Sequence, residues 1–456
     1  MEGQKGANAL MLIFAGFCGA VCLAVLAGMT LSGAAVPEKE MPEPVTVVKE
    51  RGKIYDRNGV LLVGNAEDGR EYPQALCPHL LGTLSSDGEA RGGVEQACDT
   101  ELRRGEDVYL TVNSRLQQTA EGILKTAAGR YKSGVDYDTA APYCGEAGAI
   151  VVLDCRDGSI LAAASYPDCR LDSFSEDYER LAADPLSPLM DRALQGLYRP
   201  GSTFKTVTAL AALNEGAVSP KTKFYCGGSL NVSGARFSCM KQHGYIDISR
   251  ALELSCNIFF YRTAQRLGTE PLIKTAAEFG FGEVSFAELP TLAGQIASPE
   301  NNDYWGSGQL VQAAIGQSST LCTPLQMADA ALMLANKGLR FEPRLIASAG
   351  ERFPEGAALQ PRIAAEIKSD KSFELIKKAM TASTAYTYGD CALSKLPSPA
   401  AIKTGTPQSP RGYDSAVIGF YPADKPAIAF AVMLEGGANA KHTVYELCSS
   451  FEALTK

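Results

Sequence analysis

The alternation of apolar and polar residues predicts strands at both ends of the chain and helices between them. Residues 51–65, "RGKIYDRNGVLLVGN", and residues 148–167, "GAIVVLDCRDGSILAAASYP", each predict two strands joined by a turn. Two β-like runs, "SAVIGFYP" and "AIAFAVMLEGG", lie near the C-terminus. Because these strands enclose a helix-rich middle, we expect an α+β domain whose sheet joins N-terminal and C-terminal strands.

Helical periodicity dominates the segments between the strands. Leu116, Ala120 and Ile123 fall on one face of an amphipathic helix that follows a short strand. Thr323 and Pro324 are typical of a helix start, as N-cap and first helical residue. Further helices are predicted over residues 202–216, in two stretches of residues 247–268, over residues 323–338 and from residue 442 to the end.

The N-terminal region carries a long stretch without charge. No charged residue occurs between Gly6 and Pro37, and about 20 apolar residues suffice to span a bilayer. A cleaved signal peptide is the alternative, but its apolar core is about 7–15 residues long. We predict a cytoplasmic stub (residues 1–6), an uncleaved membrane anchor (residues 7–36) and an extracytoplasmic remainder, so the protein is expected at the cell membrane as a single-pass protein.

Composition excludes some classes of function. The net charge is −8 and no run of basic residues occurs, so nucleic acid is not an expected partner. The three histidines are far apart and form no HExxH motif, so no metal site is predicted. The thirteen cysteines are irregularly spaced and do not indicate a disulfide scaffold. Cys226 and Cys239 flank a hairpin-like loop and are the best single disulfide candidate, with free thiols as the alternative.

Candidate chemistry begins in the segment "RPGSTFKTVTAL". Ser202 precedes Lys205 by three residues at a predicted helix start, and such residues share a helix face. A lysine whose pKa is lowered by burial could act as the base that a serine nucleophile needs. The alternative is that Ser202 is only an N-cap. Ser238 and Lys241 have the same spacing but lie in a glycine-rich, cysteine-flanked loop.

Two further motifs follow along the chain. Ser255-Cys256-Asn257 is an SxN motif, although residues 229–231 match the same pattern. Lys403-Thr404-Gly405 occurs once and is followed by Thr406. Its apolar lead-in predicts the exposed end of an edge strand beside a cleft. There the lysine and threonines can bind an anionic group, and the glycine leaves room for substrate.

The three motifs in this order resemble those of penicillin-binding proteins and β-lactamases. The similarity extends over roughly residues 50–436, through "RGKIYDRNG", "DRALQGLYRPGSTFK", "ALELSCNIFFY", "AIGQSSTLCTPLQMADAALMLANKG" and "AIKTGTPQ". This chain resembles the class B members, which are membrane-anchored peptidoglycan transpeptidases. The resemblance implies a linker and small mixed pedestal domain (residues 37–145). It also implies a transpeptidase domain with an antiparallel sheet flanked by helices (residues 146–456).

The resemblance also implies roles for the motif residues. Catalytic roles fall to Ser202 as nucleophile, Lys205 as general base, Ser255 as proton relay and Lys403 as support for that relay. Substrate-binding roles fall to Asn257, Thr404, Gly405 and Thr406, with the backbone N–H groups of Ser202 and Thr406 as the oxyanion hole. The implied substrates are D-Ala-D-Ala stem peptides, and the implied inhibitors are β-lactams. No metal or cofactor is expected, and the implied partner is a polytopic glycan polymerase.

Some features depart from the family pattern, and other functions stay open. Pro407 stands where many members have alanine, and the segment between residues 51 and 92 is short. A β-lactamase would share the acylation motifs but needs a base that activates water, and we identify none. A D,D-carboxypeptidase would differ only in using water as acceptor. The third alternative is a β-lactam-binding scaffold or receptor of a membrane complex.

Overall fold

A computed structural model describes residues 50–67, 69–85, 87–133, 143–284, 286–384, 392–410 and 412–454. Residues 49–456 form one compact unit. Among the described helices, none combines the length and apolar character that crossing a bilayer requires. The predicted stub and anchor lie outside the described residues. The predicted boundary between pedestal and transpeptidase domains stays a prediction.

Fourteen α-helices lie in the described residues and are numbered in chain order. They are α1 (Pro78–Leu81), α2 (Gly93–Ala97), α3 (Asp99–Arg103), α4 (Ser114–Lys132), α5 (Phe174–Ala183), α6 (Arg192–Gln195), α7 (Lys205–Asn214), α8 (Ile248–Glu253), α9 (Asn257–Leu267), α10 (Thr269–Glu278), α11 (Ser307–Ala313), α12 (Pro324–Ala335), α13 (Asp370–Ala382) and α14 (Thr443–Leu454).

Twenty strands are numbered in the same way. They are β1 (Ile54–Tyr55), β2 (Leu61–Ala66), β3 (Gly69–Glu71), β4 (Thr83–Leu84), β5 (Ala90–Arg91), β6 (Val108–Leu110), β7 (Ala147–Asp154), β8 (Ile160–Tyr166), β9 (Phe224–Cys226), β10 (Ser229–Val232), β11 (Ala235–Ser238), β12 (Gly244–Ile246), β13 (Leu339–Phe341), β14 (Ile346–Ala349), β15 (Ile363–Glu366), β16 (Ala401–Gly405), β17 (Gln408–Ser409), β18 (Gly412–Tyr413), β19 (Ser415–Tyr421) and β20 (Ile428–Glu435).

The main sheet joins strands from both ends of the chain. Its order is β16-β19-β20-β7-β8, and all of its pairings are antiparallel. Strands β7 and β20 lie inside the sheet and are buried along almost their whole length, because helices cover both faces. Helices α4 and α14 pack on one face, and helices α7 and α12 pack on the other. The expected α+β arrangement is therefore confirmed, and β16 is an edge strand.

A second five-stranded sheet has the order β14-β6-β1-β2-β3. Strands β1, β2, β3 and β6 come from the first part of the described chain. Strand β14 comes from much later in sequence and pairs with β6. Glu95 is fully buried beside this sheet and binds both Arg51 and Arg70. This carboxylate links three segments beside the second sheet.

The structure contains the hairpins and the helix cap that the sequence predicts, and it differs from the prediction at the start of α7. The predicted hairpins appear as β1–β2 and β7–β8, and Thr323 caps α12 in a capping box with Gln326. A 3₁₀ turn over Gly201–Phe204 precedes α7, whereas the pattern predicts an α-helix from Ser202. Residues i and i+3 eclipse each other in a 3₁₀ turn, so Lys205 still lies on the side of Ser202.

Candidate active site

Ser202 lies in the 3₁₀ turn where the chain enters α7. Its side chain is partly exposed, whereas its neighbours Gly201 and Thr203 are buried. Gly201 has a φ of +57°, in the left-handed region that favours glycine. A Cβ atom at Gly201 would also meet the backbone nitrogen of Pro407 at 3.1 Å. The turn is therefore held tightly against the chain that follows β16.

Lys205 is fully buried and points at the SxN motif. Its Nζ donates to the backbone oxygen of Ser255 at 2.8 Å, to Ser255 Oγ at 3.2 Å and to Asn257 Oδ1 at 2.6 Å. The ammonium also lies 5.7 Å from the ring centroid of Phe260. Within the described residues, no carboxylate forms an ion pair with Lys205. The lysine is therefore held by neutral groups alone.

The SxN motif occupies the short connection between α8 and α9. Ser255 has a φ of +54°, a left-handed conformation that costs a non-glycine residue about 1–2 kcal/mol. Asn257 is the first residue of α9, and its Nδ2 donates to the backbone oxygen of Ser238 at 3.1 Å. The strained turn brings Ser255 Oγ and Asn257 Oδ1 to the same lysine.

Lys403 approaches the same serine from the sheet. It is fully buried on β16, and its Nζ donates to Ser255 Oγ at 3.0 Å and to the oxygen of Thr404 at 2.9 Å. Side chains alternate along a strand, so Thr404 points away from the face of Lys403. Ser255 Oγ therefore lies between two lysine Nζ atoms from separate parts of the chain.

Burial perturbs both lysines. It lowers the pKa of Lys205 from 10.5 to about 7, while the negative charge that Cys239 and Cys256 carry as thiolates acts in the opposite direction. Burial, and secondarily the charge of Lys205, holds the pKa of Lys403 well below its usual value. An amine whose pKa is close to neutrality can accept a proton under ordinary conditions, as a general base must.

Gly405 is the point of closest approach between the edge strand and the serine turn. A Cβ atom there would lie 2.9 Å from the oxygen of Pro200 and 3.4 Å from the nitrogen of Ser202. Thr404 is half-buried at this end of β16, and Thr406, just beyond it, is exposed. Thr404, Gly405 and Thr406 therefore lie at the end of β16 that packs against the Ser202 turn, and the cleft expected beside them stays a prediction.

The two alternative motif matches have different surroundings. Ser238 ends β11 and Lys241 lies in the following loop, and both are exposed. Residues 229–231 belong to β10 and pair with β11. In contrast, the structure brings Lys205, Ser255, Asn257 and Lys403 into one hydrogen-bonded network beside Ser202. The catalytic and binding roles given to these residues stay predictions.

Four potential metal ligands meet behind the SxN motif, a feature that the sequence analysis missed. They are Cys226, Cys239, His243 and Cys256, and their ligand atoms all lie within 4.8 Å of one another. His243 Nδ1 is 3.4 Å from Cys226 Sγ and 3.6 Å from Cys239 Sγ, and Cys239 Sγ is 3.9 Å from Cys256 Sγ. The sequence does contain a pattern for this cluster, with three cysteines and one histidine at the separations C-x₁₂-C-x₃-H-x₁₂-C.

The cluster has the donor set and the dimensions of a zinc site. Zinc bonds of about 2.3 Å to sulfur and about 2.0–2.1 Å to nitrogen, arranged tetrahedrally, place sulfurs about 3.8 Å apart and sulfur and nitrogen about 3.5 Å apart. The one sulfur–sulfur and two sulfur–nitrogen distances given above are close to these values, and the ligand atoms all lie within 4.8 Å of one another, so these four residues could hold one zinc ion. The predicted disulfide between Cys226 and Cys239 is wrong, since both thiols are free.

Comparison with known proteins relates this chain to a family and to several relatives. Residues 148–447 match the profile of the penicillin binding protein transpeptidase domain. The peptidoglycan D,D-transpeptidase MrdA of Escherichia coli (strain K12) is 29% identical over 383 residues, which cover 75% of this chain and 57% of that protein. The chain thus matches little more than half of that relative's length.

Two further proteins are similar over a larger share of their length. The peptidoglycan D,D-transpeptidase PbpA of Mycolicibacterium smegmatis is 27% identical over 439 residues, covering 86% of this chain and 85% of that protein. A chain from a solved peptidoglycan synthase complex that coordinates polymerization and crosslinking has the same fold. It is 22% identical with a TM-score of 0.78, and the match covers 100% of this chain and 99% of that chain. Because the profile match takes in well over half of the sequence, this chain belongs to the family defined by the penicillin binding protein transpeptidase domain.

Proposed function

We propose that this protein is a serine D,D-transpeptidase that cross-links peptidoglycan stem peptides through an acyl-enzyme at Ser202. The observation that carries the proposal is the network in which Lys205 and Lys403 both donate to Ser255 Oγ. Two buried lysines without a carboxylate counterion in the described residues are costly to keep in a fold. A proton-transfer role for the pair explains that cost.

Acylation is the first half-reaction. Neutral Lys205 takes the proton of the Ser202 hydroxyl as its oxygen attacks the carbonyl carbon of the D-Ala–D-Ala bond. The backbone N–H groups of Ser202 and Thr406 stabilise the developing oxyanion. The bond to the terminal D-alanine then breaks, and its nitrogen receives a proton through Ser255. D-Alanine leaves, and the remaining peptide stays on Ser202 as an ester.

Transfer to an amine is the second half-reaction. An amino group from a neighbouring stem peptide attacks the ester carbon and loses its proton through the same lysine–serine network. The bond to Ser202 Oγ breaks, the serine regains its proton, and a new peptide bond has formed. No cofactor is needed for either half-reaction.

Substrate recognition falls to groups at the mouth of the cleft. Thr404 and Thr406 bind the terminal carboxylate of the donor peptide, and Gly405 lets that peptide lie along β16. Asn257 holds the donor's backbone amide. A β-lactam presents a carboxylate and a strained amide in a similar arrangement, so it acylates Ser202 and blocks the site.

A zinc ion in the cluster of Cys226, Cys239, His243 and Cys256 would have a structural role in this reaction. With four protein ligands, such an ion has no open position for substrate. It would supply rigidity, because Cys256 lies between Ser255 and Asn257 in sequence. The protein's own residues carry out every proton transfer described above.

We also propose a location and a partner. The uncharged segment within residues 7–36 anchors the protein in the cell membrane, with the catalytic domain on the extracytoplasmic side. A separate, polytopic glycan polymerase supplies the strands to be cross-linked. The fold similarity to a chain of a peptidoglycan synthase complex supports this arrangement.

Covalent labelling tests the nucleophile. Full-length protein in detergent is incubated with a fluorescent penicillin and followed by gel electrophoresis over hours. We expect a persistent label that Ser202→Ala abolishes. Ser238→Ala is the matched control, since it removes the serine of the second SxxK sequence and should label normally. Absence of label in the wild-type protein would refute the assignment of Ser202 as the nucleophile.

Product analysis separates transpeptidation from hydrolysis. A peptide ending in D-Ala-D-Ala is supplied with and without a D-amino acid as amine acceptor. We expect release of D-alanine together with the exchanged peptide. Hydrolysed peptide alone would favour a D,D-carboxypeptidase, and a penicillin label lost within seconds would favour a β-lactamase.

A further inference from the structure

The cluster behind the SxN motif joins two chemistries that bear on the active site. It offers ligands for a metal ion, and three of its four ligands are thiols that can be oxidised. Cys256 is also the middle residue of the SxN motif, between Ser255 and Asn257. A change in the bonding of Cys256 therefore acts on the two residues that contact Lys205.

We infer that Cys239 and Cys256 form a thiol switch. In the reduced state they help to hold a zinc ion. Peroxide joins them as a disulfide, which expels the ion and stops acylation of Ser202. The inference rests on the proposed function, because acylation is the activity that the switch controls. The switch regulates the active site and adds no step to the reaction.

The geometry selects this pair of thiols. Their sulfur atoms are 3.9 Å apart, and the backbone N–H of Asn257 donates to Cys239 Sγ at 3.3 Å. Cys239 is partly exposed, whereas Cys226 and Cys256 are buried. Peroxide from solvent therefore reaches Cys239 first, and Cys256 lies next to it as the resolving thiol.

The reaction balances with hydrogen peroxide as the oxidant. The Cys239 thiolate attacks one peroxide oxygen and the O–O bond breaks, so that Cys239 becomes a sulfenic acid and the departing hydroxide takes a proton from solvent to leave as water. The Cys256 thiolate then attacks the Cys239 sulfur, and the second hydroxide departs and is likewise protonated by solvent to water. Two thiolates lose two electrons and one peroxide gains them. A dithiol reductant reverses the bond by exchange.

We expect the disulfide to move the motif when it forms. A sulfur–sulfur bond is about 2 Å long, so the two sulfurs must approach each other by about 1.9 Å. Cys256 carries Ser255 and Asn257 with it, and Ser255 is already in a left-handed conformation. A displacement of about 1 Å in a catalytic group can lower a rate about 100-fold. Loss of two ligands also removes the ion that would hold the connection in place.

The test uses zinc-loaded, full-length protein in detergent, treated with hydrogen peroxide and then with catalase. Three quantities are measured on each sample: the rate of labelling by fluorescent penicillin, zinc released to a colorimetric chelator, and tryptic peptides under non-reducing conditions. Trypsin places Cys239 in residues 237–241 and Cys256 in residues 251–262, each as the peptide's only cysteine. The expected results are a linked pair of these peptides, release of one zinc per protein, and labelling slowed about 100-fold. Dithiothreitol with added zinc should restore the labelling rate.

Other outcomes would overturn the inference. These are a link between other cysteines, over-oxidation of Cys239 without a link, and an unchanged labelling rate in linked protein. Cys169→Ser removes a partly exposed thiol outside the cluster and should keep the full peroxide response. Cys239→Ser should lose the link, and if it does not fold, the wild-type peptide map still decides. Untreated protein that labels at Ser202 upholds the proposed function whatever peroxide does.

Discussion

The pH dependence of acylation tests the assignment of Lys205 as the base. Only the neutral amine can take the proton of Ser202, so the acylation rate should follow the deprotonated fraction of Lys205. Burial lowers its pKa from 10.5 to about 7. The rate should therefore rise about tenfold between pH 5 and pH 6 and level off above about pH 8.

The lowered pKa of Lys205 also determines how much of the lysine is in its reactive, neutral form. A lowering by about 3.5 pKa units corresponds to about 5 kcal/mol of differential stabilisation of the neutral amine. At pH 7 an unperturbed lysine would be neutral in about one molecule in 3,000, whereas a lysine with a pKa near 7 is neutral in about half. Without the shift, acylation at pH 7 would thus be limited by the rarity of the reactive form.

The assay is stopped-flow or gel measurement of the acylation rate constant with fluorescent penicillin between pH 5 and pH 9. Lys205→Arg keeps a positive charge that does not titrate in this range and should lower the plateau about 10²–10⁴-fold. Lys241→Arg alters the exposed lysine of the second SxxK sequence and should leave the profile unchanged. A rate that is flat between pH 5 and pH 8 in the wild-type protein would refute the reasoning.

Three further substitutions test packing at the site and elsewhere in the fold. Gly405→Ala should slow acylation about 10–100-fold and also lower the thermal stability, measured by labelling and thermal unfolding, because the added methyl would lie 2.9 Å from the backbone oxygen of Pro200 and push the Ser202 turn away from β16. Glu95→Ala should lower the free energy of unfolding by about 3–5 kcal/mol in urea titration, because it leaves two arginines without their buried carboxylate. Leu210→Ala, in the buried helix α7, should cost about 2–5 kcal/mol of stability in the same titration, yet leave the labelling rate of folded protein nearly unchanged. Unaltered unfolding curves for the last two would show that these contacts contribute little.

Local pattern was sufficient for much of the fold. The hairpin β7–β8 and the capped helix α12 depend on turn and cap residues that are adjacent in sequence, and both were predicted close to their bounds. The edge position of β16 also followed from its apolar lead-in and its KTGT end. The 3₁₀ turn at Ser202 was not predicted, since it depends on Gly201 packing against Pro407, a contact between distant segments.

The sequence predicted the motif residues of the candidate site, but not all of their contacts and not the metal-ligand cluster. The three motifs contain the residues of the hydrogen-bonded network, yet spacing alone does not reveal that Lys205 contacts both Ser255 and Asn257. The metal-ligand cluster was missed because its residues lie at four separate positions between the end of β9 and the start of α9. His243 was judged only against the other histidines, whereas its neighbours in space are cysteines.

The position of β14 late in the sequence affects how the second sheet forms during synthesis. Its partner in the small sheet, β6, is synthesised about 240 residues earlier, and a ribosome adding about 5–20 residues per second needs roughly 10–50 s to reach β14. During that interval one side of β6 exposes unpaired backbone groups, which is the kind of edge at which strands of other chains add. A nascent chain that is interrupted before residue 346 would carry this edge permanently. Protection of the early segment during synthesis is therefore a requirement that this topology imposes on the cell.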